Sequence, residues 1–184
     1  MIHRNSRTQA AIIINSHAQY TSSGDILPFT QDRDFPYDKI TDPDVMRNIA
    51  VIGRHYHDER TGDMQGVMNS YSKKGFVWHG TNREKPVFIL NDMDAAEANY
   101  RGIFSGLANM RYFPQLFVSI GRQVFDRTYM QADVVGPHIS GIPVGGKLRT
   151  RLDHWFVMDT DTDGDIIYEG VDEIPVDANW EVIK

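Results

Sequence analysis

Thr61-Gly62-Asp63-Met64, followed by Phe76-Val77-Trp78-His79-Gly80, and later Gly141-Ile142-Pro143-Val144-Gly145-Gly146 running into Arg151-Leu152-Asp153-His154-Trp155-Phe156, are the stretches around which this chain organises itself. Upstream of the first, Asp42-Pro43-Asp44 starts a helix. Asp42 can cap free N–H groups, proline suits the first helical position, and an early acid suits the helix dipole. Val45, Ile49, Ile52 and Tyr56 then recur at helical spacing and mark one apolar stripe. The helix should run to about Arg60 and stop at Gly62. Asp63 caps a second, short helix carrying Val67, Met68 and Tyr71, and Phe76 to Trp78 reads as a strand.

Asp92 caps a third helix over 93–107, with Ala95, Ala96, Tyr100, Ile103 and Leu107 on its apolar side. Beyond it the period changes to two. Gln115–Gly121, Arg127–Val135, Arg149–Met158 and Ile166–Val171 are strand candidates, and Thr160–Asp165 is a polar turn. Helices first and strands later predict an α+β class, with helices on one side of an antiparallel sheet. Residues 1–41 read as an irregular arm, either a partly disordered tail or a segment that packs on the domain or on a second subunit. The domain itself is expected over 42–175 and a C-terminal tail over 176–184.

Composition removes several function classes. The 184 residues carry a net charge of −6, so the basic footprint of a nucleic-acid binder is missing. With no cysteine, disulfides, thiolate metal sites and a cysteine nucleophile are excluded. Nothing approaches a run of 18 apolar residues, so no transmembrane helix is expected and the reading is cytoplasmic. Several motifs reduce to ordinary structure. Asp159-Thr160-Asp161-Thr162-Asp163-Gly164 imitates an EF-hand start, but Gly170 stands where the bidentate glutamate belongs. Gly145-Gly146 reads as a turn into a strand rather than a phosphate loop. His55 and His57 are two apart on a helix and point in different directions, and no His-Glu-x-x-His pattern exists. No metal and no cofactor are therefore expected; an assembled set of His79, His55 and Asp153 is the arrangement to test. Strand alternation puts Arg149, Arg151, Asp153, Trp155 and Val157 on one face, with His154, Phe156 and Met158 on the other. A carboxylate beside aromatic side chains can serve as acid or base, whereas on an exposed face it pairs with Arg151.

From about residue 44 to 172 the chain resembles the SnoaL-like branch of the nuclear transport factor 2-like (NTF2-like) superfamily. The resemblance rests on Gly62-Asp63 opening the second helix and on Phe76–Gly80 as first strand. It also rests on Asp94–Gly102 as the following helix and on the loop from His138 to Lys147, here shorter than usual. It implies a cone-shaped α+β barrel of about three helices on a curved, mostly antiparallel sheet enclosing a pocket. Set against the related ketosteroid isomerases, Gly62-Asp63 brings the helix-borne tyrosine of that family to His55. Its first-strand aspartate falls at His79, and its second aspartate at Asp153. Only the last keeps its residue type.

The implied function is cofactor-free acid–base catalysis on a hydrophobic, oxygenated small molecule such as a polyketide or terpenoid: isomerisation, cyclisation or dehydration. In that reading His79 is the base or acid, Asp153 orients it or donates to a substrate oxygen, and His55 or Tyr56 holds the substrate. The pocket walls are expected to include Tyr56, Met68, Tyr100, Phe104, Phe117, Tyr129, Trp155 and Tyr168. A non-catalytic ligand-binding or protein-interaction domain is the alternative. Epoxide hydrolysis ranks third, because Gln131-Ala132-Asp133 lacks the arginine of the limonene epoxide hydrolase Arg-x-Asp pair. The resemblance also suggests a homodimer.

Overall fold

A computed structural model describes residues 10–14, 42–81, 88–137, 141–159 and 165–178. Helix α1, Pro43–Thr61, begins as its sequence dictates: the Asp42 side chain accepts from the Asp44 and Val45 N–H groups, and Pro43 occupies the first turn. It ends where Gly62 enters the left-handed region at φ 71°. Asp63 then caps α2, Met64–Asn69, by accepting from Gly66 N–H. Tyr71, expected on that helix, instead follows it and bridges to Ile166. Strands β2 (Val77–Thr81) and β3 (Phe88–Leu90) come next, then α3 (Met93–Gly106), capped by Asp92.

Four long strands complete the core: β4 (Leu107–Ile120), β5 (Gln123–Val134), β6 (Lys147–Met158) and β7 (Ile166–Pro175). Within the N-terminal segment, Ala10–Ile14 forms β1 and pairs antiparallel with β4, so this part of the expected irregular arm is sheet. The sheet order is β1-β4-β5-β6-β7-β2-β3, antiparallel except for the β2–β7 pair. The observed class is α+β, with an unclosed sheet. β4 carries register shifts after Ala108 and after Pro114, the first with Asn109 at φ 52°, which bend the strand. Residues 138–140, 160–164 and 179–184, on which parts of the loop, turn and tail readings fall, lie outside the described residues.

One sheet face is covered by α1 and α3. Val45, Ile49, Ile52 and Tyr56 of α1 pack with Phe117, Val124, Phe156 and Met158 of the sheet. Asn48 fastens the helix by donating to Ser119 Oγ at 2.9 Å and to the Gly121 carbonyl at 2.7 Å. Burying each such aromatic or branched side chain stabilises the fold by about 1.5–3 kcal/mol. On β5 and β6 the covered face is Val124, Asp126, Thr128 and Met130, and Leu148, Thr150, Leu152, His154, Phe156 and Met158. No described helix is long and apolar enough to cross a membrane.

Candidate active site

The apolar stripe of α1 is interrupted by polar residues on its own buried face. Asn48, Ile52, His55, Tyr56 and Glu59 share one side of the helix and are all buried. His55 is fully buried, and its Nε2 lies 3.4 Å from Glu59 Oε1 and 3.6 Å from Glu169 Oε2. Glu169 comes from β7, where alternation sends Glu169, Val171 and Glu173 to the covered face. Tyrosines surround the carboxylates: Tyr71 donates to Glu169 Oε2, Tyr112 to Glu59 Oε2 at 3.2 Å, and the Tyr71 and Tyr100 hydroxyls lie 3.0 Å apart.

Burial alone would favour neutral His55, but the Glu59 and Glu169 carboxylates outweigh it and raise the imidazole to about 9. Burial also pushes Glu169 up, and repulsion from Glu59 adds to this. For Glu59 the attraction of His55 overcomes burial and leaves it lowered. Burial, reinforced by the carboxylates, holds Tyr71, Tyr100 and Tyr112 well above the usual phenol value, so all three keep their protons and remain donors. His55, Glu59 and Glu169 present ligand atoms within 4.8 Å of one another, close enough to surround a metal ion. A second buried cluster adjoins this one. Asp126 and His154 are direct cross-strand partners, and Tyr56 donates to Asp126 Oδ2 at 2.5 Å while sitting 3.0 Å from His154 Nδ1.

The floor formed by Glu59, Tyr112 and Glu169 opens into a small pocket between α3 and the covered sheet face, about 100 Å³ in volume. Trp78, Tyr100, Ile103, Phe104, Met130 and Leu152 supply its apolar walls. Asn99 and Glu173 are polar groups in these walls. Asn99 on α3 has a buried Nδ2 with no hydrogen-bond partner among the described residues. Glu173 on β7 has no charged neighbour shifting it among the described residues, and burial raises its carboxyl to about 7.

Neither a family model nor a curated protein matches the sequence. Solved structures do resemble it. A Jannaschia sp. CCS1 protein put forward as a SnoaL-like polyketide cyclase aligns at TM-score 0.59 and 15% identity, over 72% of this chain and 89% of that one. SalBIII, an epoxide hydrolase/cyclase-like enzyme of pyran ring formation in the polyether salinomycin, aligns at TM-score 0.57 and 10% identity, over 77% and 98%. An NTF2-like protein of unknown function from Burkholderia pseudomallei K96243 gives 0.55 and 15%, over 68% and 88%. The fold is NTF2-like.

Within this NTF2-like fold the expected site residues separate. The structure places His55 beneath the pocket, behind the Glu59 and Glu169 carboxylates that line it, and Tyr100 and Phe104 in its walls. Tyr56 and Met68 are core residues, Tyr56 held by Asp126. Phe117 is also core, 1% exposed, rather than wall. His79 and Asp153 do not line the pocket, which corrects the central expectation. His79 alternates with inward Trp78 and Gly80, and its Nδ1 faces Tyr168 Oη at 3.4 Å on the opposite side of the sheet. Asp153 lies on that same outer side, held by Arg127 Nε and Nη2 at 2.8 and 2.9 Å and by Arg151. Trp155 is 41% exposed and packs its ring on Phe125, while Tyr129 alternates with inward Thr128 and Met130. The physical reason is the period of two: a step of one residue exchanges faces, and the pattern does not say which face the helices cover.

Sequence reasoning did not single out Glu59, Glu169, Glu173, Tyr112, Asp126, His154 or Asn99. Glu59 carried a usable signal, being four residues after His55 on the apolar stripe of α1. The strand residues carried a weaker one: Glu169 and Glu173 share a face with Val171, as His154 does with Phe156.

Proposed function

We propose that the chain is an acid–base enzyme acting on a hydrophobic, oxygen-bearing small molecule, by isomerisation, aldol-type cyclisation or dehydration. The observation that carries the reading is Glu173: a carboxyl in an apolar pocket wall, raised to about 7, and therefore poised to accept or donate a proton near neutrality. Glu173 takes a proton from a carbon next to a carbonyl. The released electron pair moves onto the carbonyl oxygen, where the Asn99 amide donates, its Nδ2 being otherwise unpaired. The proton can return to another carbon, or the enolate carbon can attack a second carbonyl, or a β-hydroxyl can leave as water. The fold likeness to a protein put forward as a polyketide cyclase and to the cyclase-like SalBIII agrees with this class.

The test is solvent deuterium exchange. Hydrophobic ketones and β-hydroxyketones are incubated with the protein in D2O, and label next to the carbonyl is followed by NMR, with Trp78-dependent fluorescence reporting binding. Glu173→Gln is expected to slow exchange by about 100-fold or more, as removal of a general base does. His79→Asn and Asp153→Asn should leave it unchanged. Wild-type exchange rates in Glu173→Gln would refute the role. Binding of the same ketones with no exchange by the wild-type protein would favour a ligand-binding domain instead.

A further inference from the structure

We propose that His55, Glu59 and Glu169 bind one divalent first-row transition-metal ion, of the zinc, cobalt, manganese or iron(II) kind, at the floor of the pocket. The first argument is spacing. Ligand atoms about 2.1 Å from a tetrahedral centre lie about 3.4 Å from one another. His55 Nε2 stands 3.4 Å from Glu59 Oε1 and 3.6 Å from Glu169 Oε2, and all three ligand atoms fall within 4.8 Å of one another. A shared proton fits less well, because N–H···O bonds run at roughly 2.7–3.2 Å.

The second argument is the direction of the histidine. Ser70 Oγ donates to the Val67 carbonyl at 2.6 Å, so toward His55 Nδ1, 2.9 Å away, it acts as acceptor. Nδ1 therefore carries a hydrogen, and Nε2 is the ring nitrogen left to face the carboxylates, where a metal ion would take the place of the proton they favour. That nitrogen is buried without a hydrogen-bond partner of ordinary length among the described residues and aims at two carboxylate oxygens. Two carboxylates on one side of Nε2 call for positive charge between them, which a proton or a metal ion can supply. Metal-bound histidines are commonly fixed through the other ring nitrogen in this way.

The rest of the site is built to match. Tyr71 donates to Glu169 and Tyr112 to Glu59, which hold the carboxylates in place. A neutral imidazole with two carboxylates balances the charge of a divalent ion. Nitrogen and oxygen donors without sulfur suit these metals. Glu59 and Glu169 both line the pocket, so further coordination positions face the ligand space, the pattern of catalytic rather than structural sites. This goes beyond the acid–base reading and does not rest on it, since neither Glu173 nor Asn99 is among the ligands.

The test uses the full chain, stripped with a chelator and titrated with Co2+. Visible absorption of a low-coordinate cobalt centre should appear, saturate at one equivalent and be displaced by Zn2+. His55→Gln and Glu169→Gln should each weaken binding by about 100-fold, and Ser70→Ala by about 10-fold, as loss of an orienting partner does. His57→Gln, at an exposed histidine on the same helix, should change nothing. A folded wild-type protein that takes up no stoichiometric Co2+ overturns the proposal without reference to any variant. So does unchanged affinity in a folded His55→Gln protein. Glu173→Gln should keep full cobalt affinity, so the two proposals fail separately.

Discussion

Replacing Glu173 by Gln should stabilise the protein above neutral pH and leave it nearly unchanged in mild acid. Burial raises the folded-state carboxyl from 4.5 to about 7. The folded state therefore binds the proton more tightly than the unfolded chain, and stability is lost as pH rises from about 4.5 to about 7. A shift of that size corresponds to a ceiling of about 3 kcal/mol. Glu173 is half-buried rather than enclosed, so solvent screening reduces the expected gain to about 2 kcal/mol at pH 8. At pH 5 most of the penalty is absent, and the substitution should gain less than about 1 kcal/mol. Urea unfolding of both proteins at pH 5 and pH 8 measures the difference of differences directly. An equal effect at the two pH values would show that the carboxyl is solvated or paired, and the pocket-wall base would lose its physical basis.

Asp153→Asn should cost about 1 kcal/mol in urea unfolding through the loss of its bridges to Arg127 and Arg151, while ligand binding followed by fluorescence stays unchanged. Tyr56→Phe leaves buried Asp126 and His154 without a hydroxyl and should destabilise by about 1–3 kcal/mol, read from the same unfolding curves. Gly62→Ala has open space around its new methyl group, so its cost should be only the left-handed backbone at φ 71°, about 1 kcal/mol in thermal or urea unfolding. Phe156→Ala, at a side chain 1% exposed in the core, should cost about 3–5 kcal/mol by cavity formation.

Local chemistry made the elements legible. Asp42-Pro43, Gly62-Asp63 and Asp92 set the helix ends within a residue or two, because caps act between neighbours in sequence. Alternation correctly divided Arg149–Met158 into two faces, with Asp153 and Trp155 apart from His154 and Phe156. The order of elements gave the α+β class, and the resemblance pointed to an NTF2-like fold. β1 was not legible, because a short apolar run finds its pairing only against a β4 edge more than a hundred residues away.

Which face of the sheet would be covered was decided only in three dimensions. Period two is symmetric between faces, and the choice depends on where α1 and α3 settle on the completed sheet. That choice turned His79 and Asp153 outward and brought His55 beside Glu59 and Glu169 at the floor of the pocket. The protonation states of the site follow from the same event. Burial shifts Glu173, and burial with charges brought from α1 shifts Glu169, while His55 feels Glu169 from β7 beside its helix neighbour Glu59; the burial and the cross-element contacts do not exist until the helices close over the sheet.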